Sequence, residues 1–487
     1  MSSMLSHLGV CLVFLCALGC APEDSSDRSG GSWTEDVGAA SGGESGGEGL
    51  EPHAQEGGEE TGLSAPMSPE SWEVLPAQYP AGRELSPITP VVAKRIQEIA
   101  SIDFELASDV FMKVGASSTV SPHFLTCLAT EEVVLDESEA WAPALEFYGN
   151  GDAAGVSPYE RETLAAKVGV SANWVLAGNP SPLEQEMLAL SPTVAFIHYG
   201  TNDMQLGTTY QSAMWGFGAN LMALVDTLIA QGVVPVLSTL APREDMVDAA
   251  YWVPAYAAVT RGIAQARQVP VMDLHASLQG IPGQGLAGDG VHLNKYVESG
   301  SARPCVFTNE GLQFGHNVRN HLHLGALSAL HRVIAEQEPG WEEADVLSGD
   351  GSSEAPFQIS SLPFSALADT RDSPHRELDL YSGCLASQDE SGPEHLYRLE
   401  LDSPTHVRAM VHALSGADVD VHLLDASASE EGCIARGHRI VQGLLPAGTW
   451  YFALDTFVAA GEELSGEYLF TLVECEDGDP DCASWES

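Results

Sequence analysis

Short apolar, β-branched runs alternate with helix-length segments between about residues 85 and 337. Four of these runs have the length and composition of buried parallel strands: 109–115, 193–200, 233–240 and 269–274. The intervening and following segments predict helices at roughly 159–168, 182–190, 210–231, 247–267 and 308–336. Alternation of strand and helix is typical of a doubly wound sheet. We therefore predict an α/β domain over 85–337, flavodoxin-like, with three α/β/α layers around a parallel sheet.

Beyond residue 357 the periodicity changes from helical to alternating. Five runs alternate with a period of two and are separated by Gly, Pro, Asp and Ser turns: 396–401, 407–413, 419–424, 449–455 and 466–473. This pattern predicts a small antiparallel β-sandwich over 358–474, followed by a tail over 475–487. Residues 338–357 are predicted to form the linker between the two domains.

The first 84 residues indicate export. Residues 8–19 form an apolar run of signal-peptide length, too short to span a bilayer. The run ends at Ala17-Leu18-Gly19-Cys20, which resembles a bacterial lipoprotein box. The resemblance implies that 1–19 is a signal peptide and that Cys20 is lipidated, with plain secretion as the alternative. Residues 20–84 are acidic and rich in Gly and Ser, so they predict a disordered tether. No other stretch is long and apolar enough for a membrane-spanning helix.

Cysteine usage supports export. Cys11 and Cys16 fall in the signal peptide, and Cys20 is assigned to the lipid. The remaining cysteines are even in number, as three disulfides in an oxidising compartment require. Grouping by region gives the pairs Cys127–Cys305, Cys384–Cys433 and Cys475–Cys482, although the sequence alone allows many other connectivities.

The charge balance limits the partners. Lys and Arg number 20 against 69 Asp and Glu, which gives a formal net charge of −49. Such an excess repels nucleic-acid phosphates and offers no basic patch to anionic lipids. We predict no nucleic-acid partner, and membrane contact through the lipid anchor only.

Polar motifs follow the predicted strands at their carboxyl ends, where a doubly wound sheet builds its site. They are Gly115-Ala116-Ser117-Ser118-Thr119, Gly200-Thr201-Asn202-Asp203 and, in a Gly-rich loop, Asp289-Gly290-Val291-His292. A fourth segment, 174–179, contains Gly178 and lies between the first two. Because the carboxyl ends of parallel strands share one edge, the motifs are expected to meet there.

In this order the motifs resemble the four blocks of the SGNH hydrolase superfamily, the GDSL-type esterases and lipases, over roughly residues 85–340. The Ser, Gly, Asn and His of the blocks would fall on Ser117, Gly178, Asn202 and His292. The resemblance implies a serine ester hydrolase. It departs from the family at Ala116, where the first block normally carries an Asp that is thought to order the loop.

The residue types fit that chemistry on physical grounds. A serine hydroxyl needs a base within hydrogen-bond reach, and an imidazole suits the task. Asp289 lies three residues from His292, so one turn can aim both, and its carboxylate would orient the ring. Backbone N–H groups at the strand-to-helix turn of Ser117 and the side-chain amide of Asn202 would form the oxyanion hole, to which the resemblance adds the backbone N–H of Gly178. No metal ion or organic cofactor is required. Each position also has a structural alternative, as a turn or cap residue.

In the sandwich region Asp418, Asp420 and His422 alternate along one strand. Alternation predicts a solvated face, with a calcium or sugar contact as the alternative. Segments 390–398, 418–422 and 446–451 together resemble the bacterial pre-peptidase C-terminal domain. The resemblance implies an accessory module without a second active site.

These observations predict an exported, lipid-anchored serine esterase at the bacterial cell surface. It would cleave carboxylic esters through an acyl-enzyme, with an acylated polysaccharide or a lipid ester as substrate. The alternative is a catalytically idle surface lipoprotein that binds carbohydrate or protein through a degenerate hydrolase fold. Ala116 is the feature that keeps this alternative open.

Overall fold

The computed structural model describes residues 75–130, 133–135, 139–414 and 416–483. The predicted signal peptide, Cys20 and most of the predicted tether lie outside these residues. The helices are α1 (Pro90–Ala100), α2 (Ser117–Val120), α3 (Ala142–Gly149), α4 (Ala172–Val175), α5 (Pro182–Leu190), α6 (Tyr210–Ala230), α7 (Val247–Ala250), α8 (Val253–Arg267), α9 (Leu274–Gln279) and α10 (Gly315–Leu330). Side-chain caps at Thr89, Ser181 and Thr209 fix the starts of α1, α5 and α6.

A parallel sheet in the order β1-β3-β4-β5 forms the centre of the α/β region. The strands of this region are β1 (Ala107–Gly115), β2 (Val134–Leu135), β3 (Pro192–His198), β4 (Val234–Ser238), β5 (Val271–Met272), β6 (Val297–Glu298), β7 (Ser301–Ala302) and β8 (Val306–Phe307). Every residue of β3 and β4 is buried, as expected for strands covered on both faces. Gly115 pairs with His198, so the carboxyl ends of β1 and β3 lie side by side.

Antiparallel strands dominate the C-terminal region and form two sheets, consistent with a β-sandwich. They are β9 (Phe357–Ile359), β10 (Phe364–Asp369), β11 (Glu394–Leu401), β12 (Thr405–Ala413), β13 (Val419–Leu424), β14 (Cys433–Gly437), β15 (Ile440–Leu445), β16 (Gly448–Thr456), β17 (Val458–Ala459), β18 (Glu462–Glu463) and β19 (Glu467–Glu474). One sheet has the order β10-β19-β12-β15 and the other β14-β13-β16-β11-β9. The fold class predicted from the sequence is therefore confirmed.

Helix α8 lies against the sandwich and shares its core. Thirteen of its fifteen residues are buried. Gln265 Nε2 donates to the Ser365 carbonyl at 2.7 Å, and a Cβ on Gly262 would lie 3.1 Å from Leu469 Cδ1. Leu469 belongs to the same hydrophobic cluster as the α/β sheet. Removing residues 358–487 would strip α8 of this cover, so the sandwich is not a freely removable module.

The segment predicted as a helix over 159–168 is not helical. It runs instead along the edge of β1. Gly115 N donates to the Ala165 carbonyl at 3.2 Å, and Lys167 N donates to the Gly115 carbonyl at 3.3 Å. The ring of Tyr159 packs edge-on against Phe111. Because this edge of β1 offers unpaired backbone groups, pairing with the strand outweighs the helical pattern.

The end of the predicted tether and the predicted linker both pack against the α/β region. Ala77 and Tyr79 are buried, and their backbone N–H groups donate to Gln268 Oε1 and Gln265 Oε1 at 2.9 and 2.7 Å. Trp341 N donates to the Ile88 carbonyl at 2.9 Å. These contacts order chain on both sides of the predicted boundaries at 84 and 338.

The six cysteines of the described chain form the three pairs predicted by region. The Cα–Cα distances are 5.8 Å for Cys127–Cys305, 5.1 Å for Cys384–Cys433 and 6.5 Å for Cys475–Cys482. Such pairs favour an exported protein, because cytosolic thiols ordinarily stay reduced.

Two sequence expectations about surfaces are wrong. The strand face with Asp420 and His422 is not solvated, since these residues are 3% and 0% exposed. Residues 373–393, hereafter the covering segment, fold over this face, and the Tyr381 ring stacks on His422 at 3.6 Å.

The second expectation concerned membrane-spanning helices. Helix α6 is long and apolar enough to cross a membrane, although half of its most apolar stretch is buried in the fold.

Candidate active site

Ser117 is the first residue of α2, directly after β1. Its Oγ lies 2.9 Å from Nε2 of His292. On the other side of the ring, His292 Nδ1 lies 2.7 Å from Asp289 Oδ2. An ionised carboxylate can only accept, so Nδ1 carries the proton and Nε2 is left to accept the Ser117 hydroxyl. The structure thus brings the three predicted side chains into one line of hydrogen bonds.

Backbone hydrogen bonds fix the loop that carries Asp289 and His292. Asp289 Oδ1 accepts from Val291 N at 3.1 Å and from His292 N at 3.0 Å. The Gly290 carbonyl accepts from Glu244 N at 2.8 Å. The backbone bond from His292, followed by the bond to its ring, lowers the pKa of Asp289 to about 2. The carboxylate is therefore ionised at any neutral or mildly acidic pH.

The site is open to solvent. The side chains of His292 and Asp289 are 46% and 53% exposed, and Ser117 is half-buried. A bulky group attached to a reacting carbonyl would therefore find room outside the site.

Asn202 lies beyond the carboxyl end of β3. Its Nδ2 donates to the Val170 carbonyl at 2.9 Å, which uses one of the two amide hydrogens. The neighbouring Asp203 is buried and accepts from Ala172 N at 2.8 Å and from Gly200 N at 3.0 Å. Burial raises the pKa of Asp203. Asp203 thus joins residues 170–172 to the end of β3, and its role is structural.

The structure does not bring Gly178 to this group. No hydrogen bond within the described chain links it to Ser117, Asn202 or His292. Its neighbours Asn179 and Pro180 instead line a cavity with Leu106, Pro192 and Val233, which lie at the amino ends of strands. The assignment of Gly178 to the oxyanion hole is therefore corrected.

Gly169 lies in the segment that connects the end of β1 with Asn202. It stands between Lys167, which donates to Gly115, and Val170, which accepts from Asn202. Its φ of +76° favours glycine, and no group in the described part of the chain accepts from its N–H. A glycine in 165–172 is the sequence feature that could have indicated this role. It was overlooked because a helix was predicted over 159–168.

Arg319 on α10 is a second residue that the sequence analysis missed. It is 1% exposed, and its guanidinium lies 3.8 Å from the centre of the Phe124 ring. Nη1 donates to the Ser118 carbonyl at 2.6 Å and Nη2 to Thr119 Oγ1 at 3.2 Å. Ala116, buried at the N-cap of α2, offers no polar side chain here. Arg319 therefore holds the loop that carries Ser117, in which Ala116 supplies no carboxylate.

Comparison with known proteins finds a family match within the α/β region. Residues 148–296 match the GDSL-like Lipase/Acylhydrolase family. The match contains Asn202, Asp289 and His292 and begins after Ser117. No curated protein matches the chain.

Solved structures with similarity to this chain include three hydrolases. A putative acylhydrolase from Bacteroides fragilis is 17% identical, with 49% of this chain and 97% of that chain covered and a TM-score of 0.29. An α/β hydrolase from the metagenome of Lake Arreo is 17% identical, with 46% and 97% covered and a TM-score of 0.32. An acetylxylan esterase from Geobacillus stearothermophilus is 15% identical, with 46% and 95% covered and a TM-score of 0.30.

Proposed function

Because the chain carries a GDSL-like lipase/acylhydrolase domain and is thus a carboxylic ester hydrolase, we propose that Ser117, His292 and Asp289 are its catalytic triad. The observation that carries the proposal is the unbroken line of hydrogen bonds, 2.9 Å from Ser117 to His292 and 2.7 Å from His292 to Asp289. Nucleophile, base and orienting acid stand in the order that acyl transfer requires.

The reaction runs in two halves. Ser117 Oγ attacks the ester carbonyl while His292 Nε2 takes the hydroxyl proton. The imidazolium, stabilised by Asp289, then gives this proton to the leaving alcohol, and the acyl group stays on Ser117. A water molecule, activated by the same Nε2, attacks the acyl-enzyme and releases the acid. His292 returns its proton to Ser117.

The oxyanion hole uses Gly169 in place of Gly178. Its donors are the free amide hydrogen of Asn202 and the backbone N–H groups of Ser117 and Gly169. Two observations support these donors. Asn202 Nδ2 has one acceptor in the described chain and so keeps a free hydrogen, and the Gly169 N–H has no acceptor there. One donor of this type is typically worth about 3 kcal/mol in the barrier.

For the substrate we propose a short acyl group on a large, neutral alcohol, such as an acetylated polysaccharide. The half-exposed side chains of His292 and Asp289 support an alcohol that extends into solvent. The net charge of −49 disfavours anionic chains. A lipid ester is the second candidate substrate, and the substrate test below distinguishes the two.

We further propose that Cys20 is lipidated and anchors the enzyme at the bacterial cell surface. Residues 20 to about 74 would serve as the tether, and the sandwich of 358–474 would accompany the catalytic domain of 85–337. The lipoprotein-like sequence 17–20 and the three disulfides support export. Labelling of the expressed chain with a radioactive fatty acid, with Cys20→Ala as the matched variant, tests the anchor.

A fluorophosphonate probe tests the triad, because it reacts only with an activated serine. We expect the purified full chain to be labelled, Ser117→Ala to lose all labelling and Ser118→Ala to keep it. A folded wild-type protein that takes no label would support the idle binding protein, with Ala116 as its cause. Hydrolysis of acetylated xylan, compared with a lipid ester and with aryl esters of rising acyl length, then identifies the substrate class.

A further inference from the structure

An acidic cluster lies beneath the covering segment, far along the chain from the proposed triad. Glu390, on this segment, is fully buried, and neither of its carboxylate oxygens has a hydrogen-bond partner in the described chain. Arg436 Nη2 reaches it only at 4.0 Å and is closer to Asp420 Oδ2, at 2.8 Å. The fold therefore holds a buried carboxyl group whose oxygens lack a hydrogen-bond partner among the described residues.

His422 on β13 is the independent observation at this place. It is fully buried, and neither ring nitrogen has a hydrogen-bond partner among the described residues. A neutral imidazole offers a metal ion one ring nitrogen with a free lone pair. One of its nitrogens and one oxygen each of Glu390 and Asp420 lie within 4.8 Å of one another.

We propose that Glu390, Asp420 and His422 bind one divalent transition-metal ion. Two carboxylates and a neutral imidazole suit ions such as Zn²⁺ or Mn²⁺, whereas Ca²⁺ takes six to eight oxygen ligands. The ion would give a partner to Glu390 and His422, whereas Asp420 already accepts from Arg436 Nη2 at 2.8 Å and lies 2.9 Å from His438 Nδ1. No ion is needed to explain Asp418 and His438, which lie at the surface side of Asp420 and contact each other at 3.1 Å.

The ion would join the covering segment to the sheet. Glu390 belongs to the segment, while Asp420 and His422 belong to β13. The Cys384–Cys433 disulfide already links the same segment to β14. The Tyr381 ring stacks on His422 and its hydroxyl donates to Asp455, which fixes the orientation of the imidazole. Binding to the folded state alone would raise the stability of the sandwich.

Equilibrium dialysis of the full chain against Zn²⁺ alone, followed by metal analysis, tests the site. Glu390→Gln keeps the shape and removes the charge, and His422→Gln removes the imidazole. His412→Gln is the matched control, since His412 is also buried and without hydrogen bonds but packs against Trp215. We expect wild type and the control to bind one ion more than either variant. We also expect Zn²⁺ to raise the Tm of wild type and the control but not that of Glu390→Gln or His422→Gln.

Three results would overturn the proposal. One is equal zinc content and equal Tm shift in wild type and Glu390→Gln, a variant that should fold because it loses no hydrogen bond. Another is loss of the ion in His438→Gln with retention in His422→Gln, which would place it at the outer group. The third is stabilisation by Ca²⁺ but not by Zn²⁺, which would exclude the imidazole as a ligand.

Discussion

Arg319 Nη1 donates to the carbonyl oxygen of Ser118 at 2.6 Å, one residue beyond the proposed nucleophile. No acidic side chain in the described chain pairs with this buried guanidinium, and burial lowers the pKa of Arg319 to about 9. Burying a charge without an oppositely charged partner costs free energy, which hydrogen bonds to the charged group offset. The arrangement indicates that Arg319 positions the nucleophile loop that Ala116 leaves without a carboxylate.

Replacing Arg319 should therefore lower turnover more than substrate binding. We expect Arg319→Lys, which cannot donate in a planar fork, to reduce kcat by about one to two decades with little change in KM. Steady-state kinetics on a small aryl ester and the rate of fluorophosphonate labelling measure this. Arg332→Lys is the matched control near the end of the same helix, where Arg332 pairs with Glu338. An unchanged kcat in Arg319→Lys would remove the positioning role.

The meeting of Ser117 and His292 was predictable, because their motifs follow strands whose carboxyl ends share one edge. Gly169 was not, since the path of 163–172 depends on pairing with β1 rather than on local helical periodicity. Arg319 was missed for a related reason. An arginine within a helix predicts a solvent-exposed position, and only the packing of α10 against Phe124 and the nucleophile loop buries it.

The sandwich gives the same lesson on a different scale. Val419 and Val421 face the core of the sandwich and Asp420 and His422 face the other way, as alternation along a strand requires. Alternation could not predict what lies on that other side. The covering segment has little periodicity of its own and is held by the contact of Tyr381 with His422 and by the Cys384–Cys433 disulfide, both of them long-range.

Asp289 should remain ionised well into the acid range. Its pKa is lowered to about 2, so its contribution to loop stability is present above the ordinary value near 4 and is lost as the pH falls through about 2. We expect a carboxyl titration followed by NMR to place the Asp289 midpoint near 2. A midpoint near 4 would mean that the bonds from His292 do not hold in solution.

Neutralising the same side chain tests its role in turnover. Asp289→Asn should lower kcat by about three to four decades, because an amide at this place disfavours the productive tautomer of His292. His292→Ala should cost three decades or more. Asp248→Asn, an exposed change in α7, serves as the control and should leave kcat unaltered. Activity close to wild type in Asp289→Asn would assign the orienting role elsewhere.

Glu394 should make the sandwich less stable as the pH rises. It is 2% exposed, and burial raises its pKa to about 7. A carboxyl with a raised pKa binds its proton more tightly in the folded state. Its stability contribution is therefore complete below the ordinary value near 4 and declines as the pH rises through about 7. We expect Glu394→Gln to flatten the fall in Tm between pH 5 and 8, measured by calorimetry.

Glu377→Gln is the control for that experiment. Glu377 is exposed and bonds Ser353 at the surface, while its backbone N–H donates to Glu394 Oε1 at 2.9 Å. The substitution leaves this backbone donor in place, so the pH dependence of Tm should match that of the wild type. An equal slope in Glu394→Gln would show that the buried carboxyl does not titrate in this range.

Two glycines of α6 allow a matched test of the contact with the sandwich. A Cβ on Gly216 would meet no atom within 4 Å, whereas a Cβ on Gly218 would lie 2.7 Å from Cδ2 of His412. His412 is buried beside Trp215 and has little freedom to move. We expect Gly216→Ala to raise the free energy of unfolding by about 0.5–1 kcal/mol, because alanine restricts the unfolded chain and favours the helix. Gly218→Ala should lower it by about 1–3 kcal/mol through overpacking. Equal stabilisation by both changes in urea titrations would show that α6 and the sandwich are not in tight contact in solution.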